Sequence, residues 1–290
     1  MNIAVLASGG LGLSCLQKLP PDVNVICVLT DSKSQGIIEH AQRNDIPLFR
    51  GNPRTGKAVE FLKAFEVEVI LSVNYLFVIG KELIDCAGKY AFNIHGSLLP
   101  KYRGRTPHVW SIINNEPKTG LTIHLIDEGC DTGDIVLQKA FDITNDMTGA
   151  DVLKRFEELY PSAINDVLAT AAAGKIQSQT QDPAKATYFG KRTPEDGLIN
   201  WHWQKERIYN WVRAQARPYP GAFSFYKASK IIIHKIEMND SGFHYEEEDG
   251  KILDLVDGKP VIKTPNGAIS LVDFELNSLE EFIKGEILHA

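Results

Sequence analysis

Apolar residues along this 290-residue chain follow two rhythms. Short unbroken apolar runs, over residues 3–7, 23–29, 46–49, 67–73 and 91–95, read as strands. Between several of them, apolar positions recur at helical spacing, over residues 11–19, 36–44 and 58–65. A strand covered on both faces needs no polar side, so continuous runs alternating with amphipathic helices predict a parallel sheet with helices on both faces. Residues 121–126 and 135–141 add a further pair of strands flanking an Asp-rich turn. Residues 151–173 carry Leu153, Phe156, Leu159, Ile164, Val167 and Leu168 at helical spacing, which predicts one long helix. Gly174, Pro183 and their polar neighbours up to Tyr188 read as a linker. Beyond a helix over 206–216, runs at 222–226, 231–236, 251–256, 260–264 and 268–274 predict a small barrel. The expected architecture is α/β: a Rossmann-like, mostly parallel sheet in residues 1–188, then a β-rich, OB-like domain in residues 189–290.

Composition changes this picture little. With 43% hydrophobic and 23% charged residues, the chain suits an ordinary globular protein with a sizeable core. Charge narrows the partners: a net −6 and a pI near 5.8 do not suit a protein held mainly to phosphate backbones. Cys15, Cys27, Cys86 and Cys130 are scattered without a C-x-x-C pair, so neither a disulfide scaffold nor a zinc site is signalled. The apolar start lacks the basic flank and length of a signal peptide, and no run reaches a membrane span. A cytoplasmic location with no membrane partner is expected.

Candidate chemistry concentrates in two stretches. Residues 92–104 read Phe-Asn-Ile-His-Gly-Ser-Leu-Leu-Pro-Lys-Tyr-Arg-Gly, and residues 127–134 read Asp-Glu-Gly-Cys-Asp-Thr-Gly-Asp. Asn93 can donate to an oxyanion, His95 can manage protons, and Asp131 can orient and charge-stabilise the imidazole. Asn93 and His95 are two apart, so on a strand they share one face. They sit at the carboxyl end of a predicted strand, where ligands bind in such sheets. Neither stretch holds a Ser or Cys in an activating motif. The set therefore suits acyl transfer in which the substrate's own amine attacks.

Other signals are weaker. Residues 51–57 (Gly-Asn-Pro-Arg-Thr-Gly-Lys) fit the first seven positions of a phosphate-binding loop. Ala58 replaces its metal-ligating hydroxyl, and Asn74 follows the next strand where an acid belongs. Gly10, Gly12 and Asp31 approach a dinucleotide fingerprint whose third glycine is replaced by Cys15. Amides of Gly9 and Gly10 at a helix start favour anions, which makes both candidate substrate contacts, beside the plain reading of a turn that needs glycine. The spacing of His95, His108, His124 and Asp131 matches no metal motif, so no metal is expected. His108 reads as a local hydrogen-bonder and His124 as a strand residue.

The two stretches resemble the folate-dependent formyltransferases, which carry Asn-x-His, then Ser-Leu-Leu-Pro-x-Tyr-Arg-Gly, then Asp-x-Gly. The match takes in Asn93, His95, Ser97 to Pro100, Tyr102 to Gly104, and Asp131 to Asp134 in the family's order. Lys191 to Asp196 and Arg217 to Phe223 look like the second domain of methionyl-tRNA formyltransferases and of sugar-nucleotide N-formyltransferases. The resemblance implies a formyltransferase catalytic domain, with N10-formyltetrahydrofolate as co-substrate and an amine as acceptor. It places the pterin along Tyr75, Leu76, Phe77 and Val78, against the turn carrying Asp127, Gly129 and Asp134. The family's transfer RNA enzymes usually read Ala-Tyr-Gly-Leu-Ile-Leu-Pro at that loop, so the contacts expected to survive are main-chain ones. Ser97, Arg103 and Arg105 are candidate substrate contacts, with loop stabilisation as the competing role for the arginines.

Two features favour a nucleotide-linked amino sugar, such as a 4-amino-4,6-dideoxyhexose for a surface polysaccharide, over a nucleic acid. Family members acting on transfer RNA usually carry a basic insertion after the second strand, whereas here residues 31–36 run straight into a helix. Residues 191–290 hold 13 Lys and Arg against 16 Asp and Glu, the wrong bias for gripping phosphates. Tyr219, Trp211 and Phe223 are candidates for stacking on the base, against core packing as the commoner fate. Methionyl-tRNA and a hydroxyornithine-type amine stay as alternative acceptors. A homodimer through the β-rich part is also expected.

Overall fold

The computed structural model describes residues 1–276 and 281–290. It divides into two compact units: residues 1–107, 119–141 and 154–189 form one, and residues 108–118, 142–153 and 190–290 form the other.

A seven-stranded sheet organises the first unit. Its strands are β1 (Asn2–Ala7), β2 (Asn24–Thr30), β3 (Leu48–Arg50), β4 (Val69–Val73) and β5 (Tyr90–His95). After a two-residue strand, β6 (Arg103–Gly104), come β7 (Lys118–Leu125) and β8 (Ile135–Asp142). The order across the sheet is β3-β2-β1-β4-β5-β7-β8. Strands β1 to β5 pair in parallel, and β7 returns antiparallel on β5. Between strands lie α1 (Gly9–Gln17), α2 (Gln35–Arg43), α3 (Lys57–Leu62) and α4 (Lys81–Ile84). Ala58 and Leu62 of α3 and Leu83 of α4 pack on Ala4, Leu6, Leu29 and Ile70, so the apolar runs are buried as their composition requires. The expected α/β class and mostly parallel sheet are what the chain forms.

Residues 174–188 depart from the linker reading. Gln179 bridges to Ile135 beside β8, Gln181 is buried, and β9 (Tyr188–Phe189) pairs in parallel with β6. Most of these residues are exposed, as their polar composition suggests, but the Gln181 side chain satisfies the carbonyls of Asp131 and Gly133, and Thr187 Oγ1 accepts from the Tyr102 amide. Two further helices, α5 (Pro107–Ile113) and α6 (Gly149–Ala172), each run from one unit into the other.

The second unit contains α7 (Lys205–Ala214) and six strands: β10 (Ala222–Tyr226), β11 (Ser229–Asn239), β12 (Ile252–Val256), β13 (Lys259–Thr264), β14 (Gly267–Leu276) and β15 (Leu288–His289). Their order is β12-β13-β14-β11-β10-β15, with antiparallel pairing throughout. The sheet curls until its two outer strands meet: Lys251 bridges to Ile287, and the Ile252 amide donates to the Glu286 carbonyl at 2.8 Å. Ile231, Ile233, Ile252, Ile262, Ile269 and Leu271 fill the interior, with Ile208 and Val212 of α7 packed on them. Among the described residues, no helix is long and apolar enough to cross a membrane.

Candidate active site

Asn93 and His95 project from the carboxyl end of β5, on the same face. Antiparallel pairing sets Asn93 directly opposite His124 of β7 and His95 opposite Thr122. Asp131 lies in the turn between β7 and β8, which folds back over the strand ends. Three of the expected residues therefore converge. The Asn93 amide nitrogen is 3.5 Å from Asp131 Oδ1, and His95 Nδ1 is 3.6 Å from Asp131 Oδ2. A fourth joins them: His124 Nε2 lies 3.1 Å from Asn93 Nδ2 and 3.6 Å from Asp131 Oδ1. Both rings are almost closed to solvent, His95 at 7% exposed and His124 at 3%.

Hydrogen-bond partners fix the state of the His95 ring. Its Nε2 is 2.8 Å from the carbonyl of Tyr102, which can only accept, so Nε2 carries the hydrogen. In the neutral ring Nδ1 is then a lone pair facing Asp131. Burial lowers the affinity of His95 for a second proton, against the opposing pull of Asp131 and the Tyr102 carbonyl. Burial alone would push the Asp131 carboxyl up. The positive charge that the His95 ring carries at acid pH and the Gly104 N–H (2.9 Å) outweigh it and hold the carboxyl well below the usual range. The site at neutral pH is thus a carboxylate facing a free imidazole nitrogen.

Close packing of main chain holds this arrangement. Gly104 has φ +97°, and a Cβ there would lie 2.3 Å from the Phe189 carbonyl oxygen. A Cβ on Gly133 would lie 1.8 Å from the Leu125 carbonyl oxygen, so that turn admits only glycine without moving. Asp131 itself is left-handed, at φ 54°. Asp127 Oδ1 accepts from the Gly129 amide (3.1 Å) and the Thr132 hydroxyl (2.6 Å), closing the turn from within. From outside, the Gln181 amide donates to the carbonyls of Asp131 (2.9 Å) and Gly133 (2.7 Å). Gln181 Oε1 in turn accepts from Arg103 at 2.7 Å, and Arg103 also donates to the Tyr188 hydroxyl at 2.5 Å. Through these bonds the buried Arg103 guanidinium braces the turn.

The remaining expected residues sit as follows. Ser97 is buried and donates to the Lys101 carbonyl at 2.7 Å. Arg105 is exposed and donates to the Leu76 carbonyl at 2.9 Å, tying the loop after β5 to the loop after β4. In that second loop Tyr75 turns into the core beside Ile79 and Ile126, and meets Phe77 edge to face at 5.4 Å. Leu76 and Val78 stay 44% and 58% exposed, an apolar edge that the fold leaves uncovered. Asp134 accepts from Ser178 at 3.2 Å. At the start of α1, Ser34 and Asp31 lie behind the expected anion contacts. The Gly9 amide donates to Ser34 Oγ (2.9 Å), whose hydroxyl donates to the buried Asp31 carboxylate (2.5 Å), while Gly10 stays exposed. Tyr219 belongs to the second unit; its hydroxyl is 2.8 Å from His108 Nε2, and burial pushes its pKa up to about 12.

Two residues escaped the motif-based reading. His124 lies among apolar neighbours on a buried strand, and only the β5–β7 register shows it opposite Asn93. Gln181 sits in a polar run without pattern.

A family model described as formyl transferase matches residues 1–168, and one described as formyl transferase, C-terminal domain, matches residues 191–286. Among solved structures, WlaRD, a sugar 3N-formyl transferase with dTDP and 5-N-formyl-THF, is 21% identical over 96% of this chain and 99% of its own, at a TM-score of 0.70. An N-formyltransferase from Helicobacter canadensis, in complex with folinic acid and dTDP-3-aminofucose, is 19% identical over 93% of this chain and 98% of its own, at 0.67. Methionyl-tRNA formyltransferase from Clostridium thermocellum is 20% identical over 95% and 98%, at 0.60.

Proposed function

The chain belongs to the formyl transferase family, and on that premise we propose that it formylates the amino group of a nucleotide-linked amino sugar. N10-formyltetrahydrofolate supplies the formyl carbon when bound, along Tyr75 to Val78 and the turn carrying Asp127, Gly129 and Asp134. The exposed Leu76 and Val78 suit the flat apolar face of such a carrier. One observation carries the reading: an imidazole nitrogen and an amide each come within 3.6 Å of one carboxylate at a strand end.

His95 Nδ1 takes the proton of the attacking amine, and the Asp131 carboxylate offsets the charge that the ring acquires. The same nitrogen then returns that proton to the leaving nitrogen. Of the two Asn93 amide hydrogens, the one turned to Asp131 is held loosely, at 3.5 Å, and is free to move to the oxygen that gains charge. Such a donor is typically worth about 2.7–4 kcal/mol of barrier.

Two observations support a sugar nucleotide as acceptor. Only Asp31, Ser32, Lys33 and Ser34 separate β2 from α2, which leaves no room for a basic RNA-gripping insertion. The neighbours named above include two solved with dTDP or a dTDP-sugar. A formamide product would be destined for a surface polysaccharide. The test is tetrahydrofolate release with a panel of dTDP-linked 3-amino and 4-amino dideoxyhexoses, with charged initiator transfer RNA and hydroxyornithine alongside. Formylation of an amino sugar is the expected result. Transfer only to transfer RNA or hydroxyornithine overturns the acceptor, and no transfer to any amine overturns the reaction.

A further inference from the structure

We infer that His124 is a positioning residue that decides which end of the Asn93 amide faces the reacting carbonyl, an inference that rests on the formyl-transfer reading above. Its Nδ1 lies 2.7 Å from the Leu125 carbonyl oxygen. A carbonyl only accepts, so Nδ1 carries the hydrogen and Nε2 of the neutral ring is a lone pair. That lone pair faces Asn93 Nδ2 at 3.1 Å, while Asp131 Oδ1 faces the same nitrogen at 3.5 Å.

The pattern is consistent in one sense only. Turning the Asn93 amide over would set its oxygen against the Nε2 lone pair and against a carboxylate oxygen, two acceptors at once. Reversing the His124 tautomer would set a lone pair against the Leu125 carbonyl at 2.7 Å. That carbonyl cannot swing away, because Leu125 is paired with Phe92 in the sheet and its amide donates to the Asp134 carbonyl at 2.9 Å. Direction therefore passes from a rigid strand carbonyl, through the ring, to the amide. One Asn93 hydrogen is spent on His124, and the other is aimed beside Asp131, where the oxygen gains charge. Asp131 alone would leave the amide free to rotate about its terminal bond, since terminal amide torsions are broad.

The test pairs H124L, which keeps an apolar, strand-compatible residue on a buried strand, with H124Q, whose side-chain oxygen restores an acceptor. For H124L, kcat should fall roughly 10- to 100-fold, less than loss of the donor itself, with the KM for N10-formyltetrahydrofolate within about twofold. H124Q should recover most of that loss. A second readout does not depend on turnover: in the wild type, 15N spectra should show His124 as the Nδ1–H tautomer and the Asn93 amide protons as two separate resonances. These should draw together in H124L. The inference is overturned if H124L keeps kcat within threefold, if its loss lies in KM, or if the Asn93 resonances do not move. Should the wild type formylate no amine, the proposed reaction falls, and the spectra alone still decide the role of His124.

Discussion

At the end of β5, His95 gives its Nε2 hydrogen to the Tyr102 carbonyl and turns Nδ1 toward Asp131. At the end of β7, His124 gives its Nδ1 hydrogen to the Leu125 carbonyl and turns Nε2 toward Asn93. Both rings are buried and both are fixed by main chain. What separates them is the group met by the free nitrogen. A carboxylate opposite His95 offsets the charge of a proton taken up there; the amide N–H opposite His124 uses that ring's lone pair as an anchor. Residue type, burial and even the fixing device are shared, so role is set by the partner of one atom.

The comparison breaks most visibly through the group both rings share. D131N removes the charge opposite His95 and should lower kcat about 10²- to 10³-fold, or about 2.7–4 kcal/mol of barrier. Steady-state tetrahydrofolate release, run beside urea unfolding, checks that the loss lies in turnover more than in stability. Turnover within tenfold of the wild type would mean that Asp131 does not distinguish the two rings.

A step smaller, G133A disturbs only the β7 side. Its Cβ must displace the Leu125 carbonyl, 1.8 Å away, which both carries the turn and anchors His124. We expect a stability loss of about 2–4 kcal/mol by urea midpoint, with lowered activity, in line with backbone strain at a closed turn. Smaller again is Q181L, which removes the partner of Arg103 Nε and Nη2 and of the carbonyls of Asp131 and Gly133. Unsatisfied buried groups of this kind cost about 1–3 kcal/mol, measurable in the same unfolding experiment. An unchanged midpoint would show that water replaces the amide.

The smallest effect is on pH dependence, and its sign is fixed. Burial depresses the folded pKa of His95 below 6.5, so the unfolded chain binds the proton more readily. The stability tied to this ring is complete above about pH 6.5 and is lost as pH falls through the depressed value. Asp131, also depressed, adds a second loss below the ordinary carboxylate value of about 3.9. Urea midpoints from pH 7 downward should therefore fall in two stages, and H95Q should shrink the upper one to the part left by His40, whose pKa burial also lowers. A wild-type midpoint flat between pH 7 and 5 would contradict it.

Much of this was legible in the chain. Continuous apolar runs give β1, β2, β4 and β5 because both their faces are covered, and the Asn-x-His and Asp-Thr-Gly-Asp stretches mark the three converging groups. Elements too short to show a period were invisible: α4 has four residues, and β6 and β9 have two each. The link from the Gly9 amide through Ser34 to Asp31 was hidden as well, because it joins the ends of two different strands. His124 was hidden for a related reason. Its meaning comes from register between β5 and β7, a property of the sheet and not of either segment.

One consequence of the seam between Lys251 and Ile287 concerns self-association. Among the described residues, the seam occupies main-chain groups of residues 250–252 and 285–288, so a second copy finds a shorter free edge there to extend. Apolar side chains such as the exposed Met238, Val256 and Ile283 offer two molecules another kind of contact through this unit. Contacts of that kind separate without unpicking either fold.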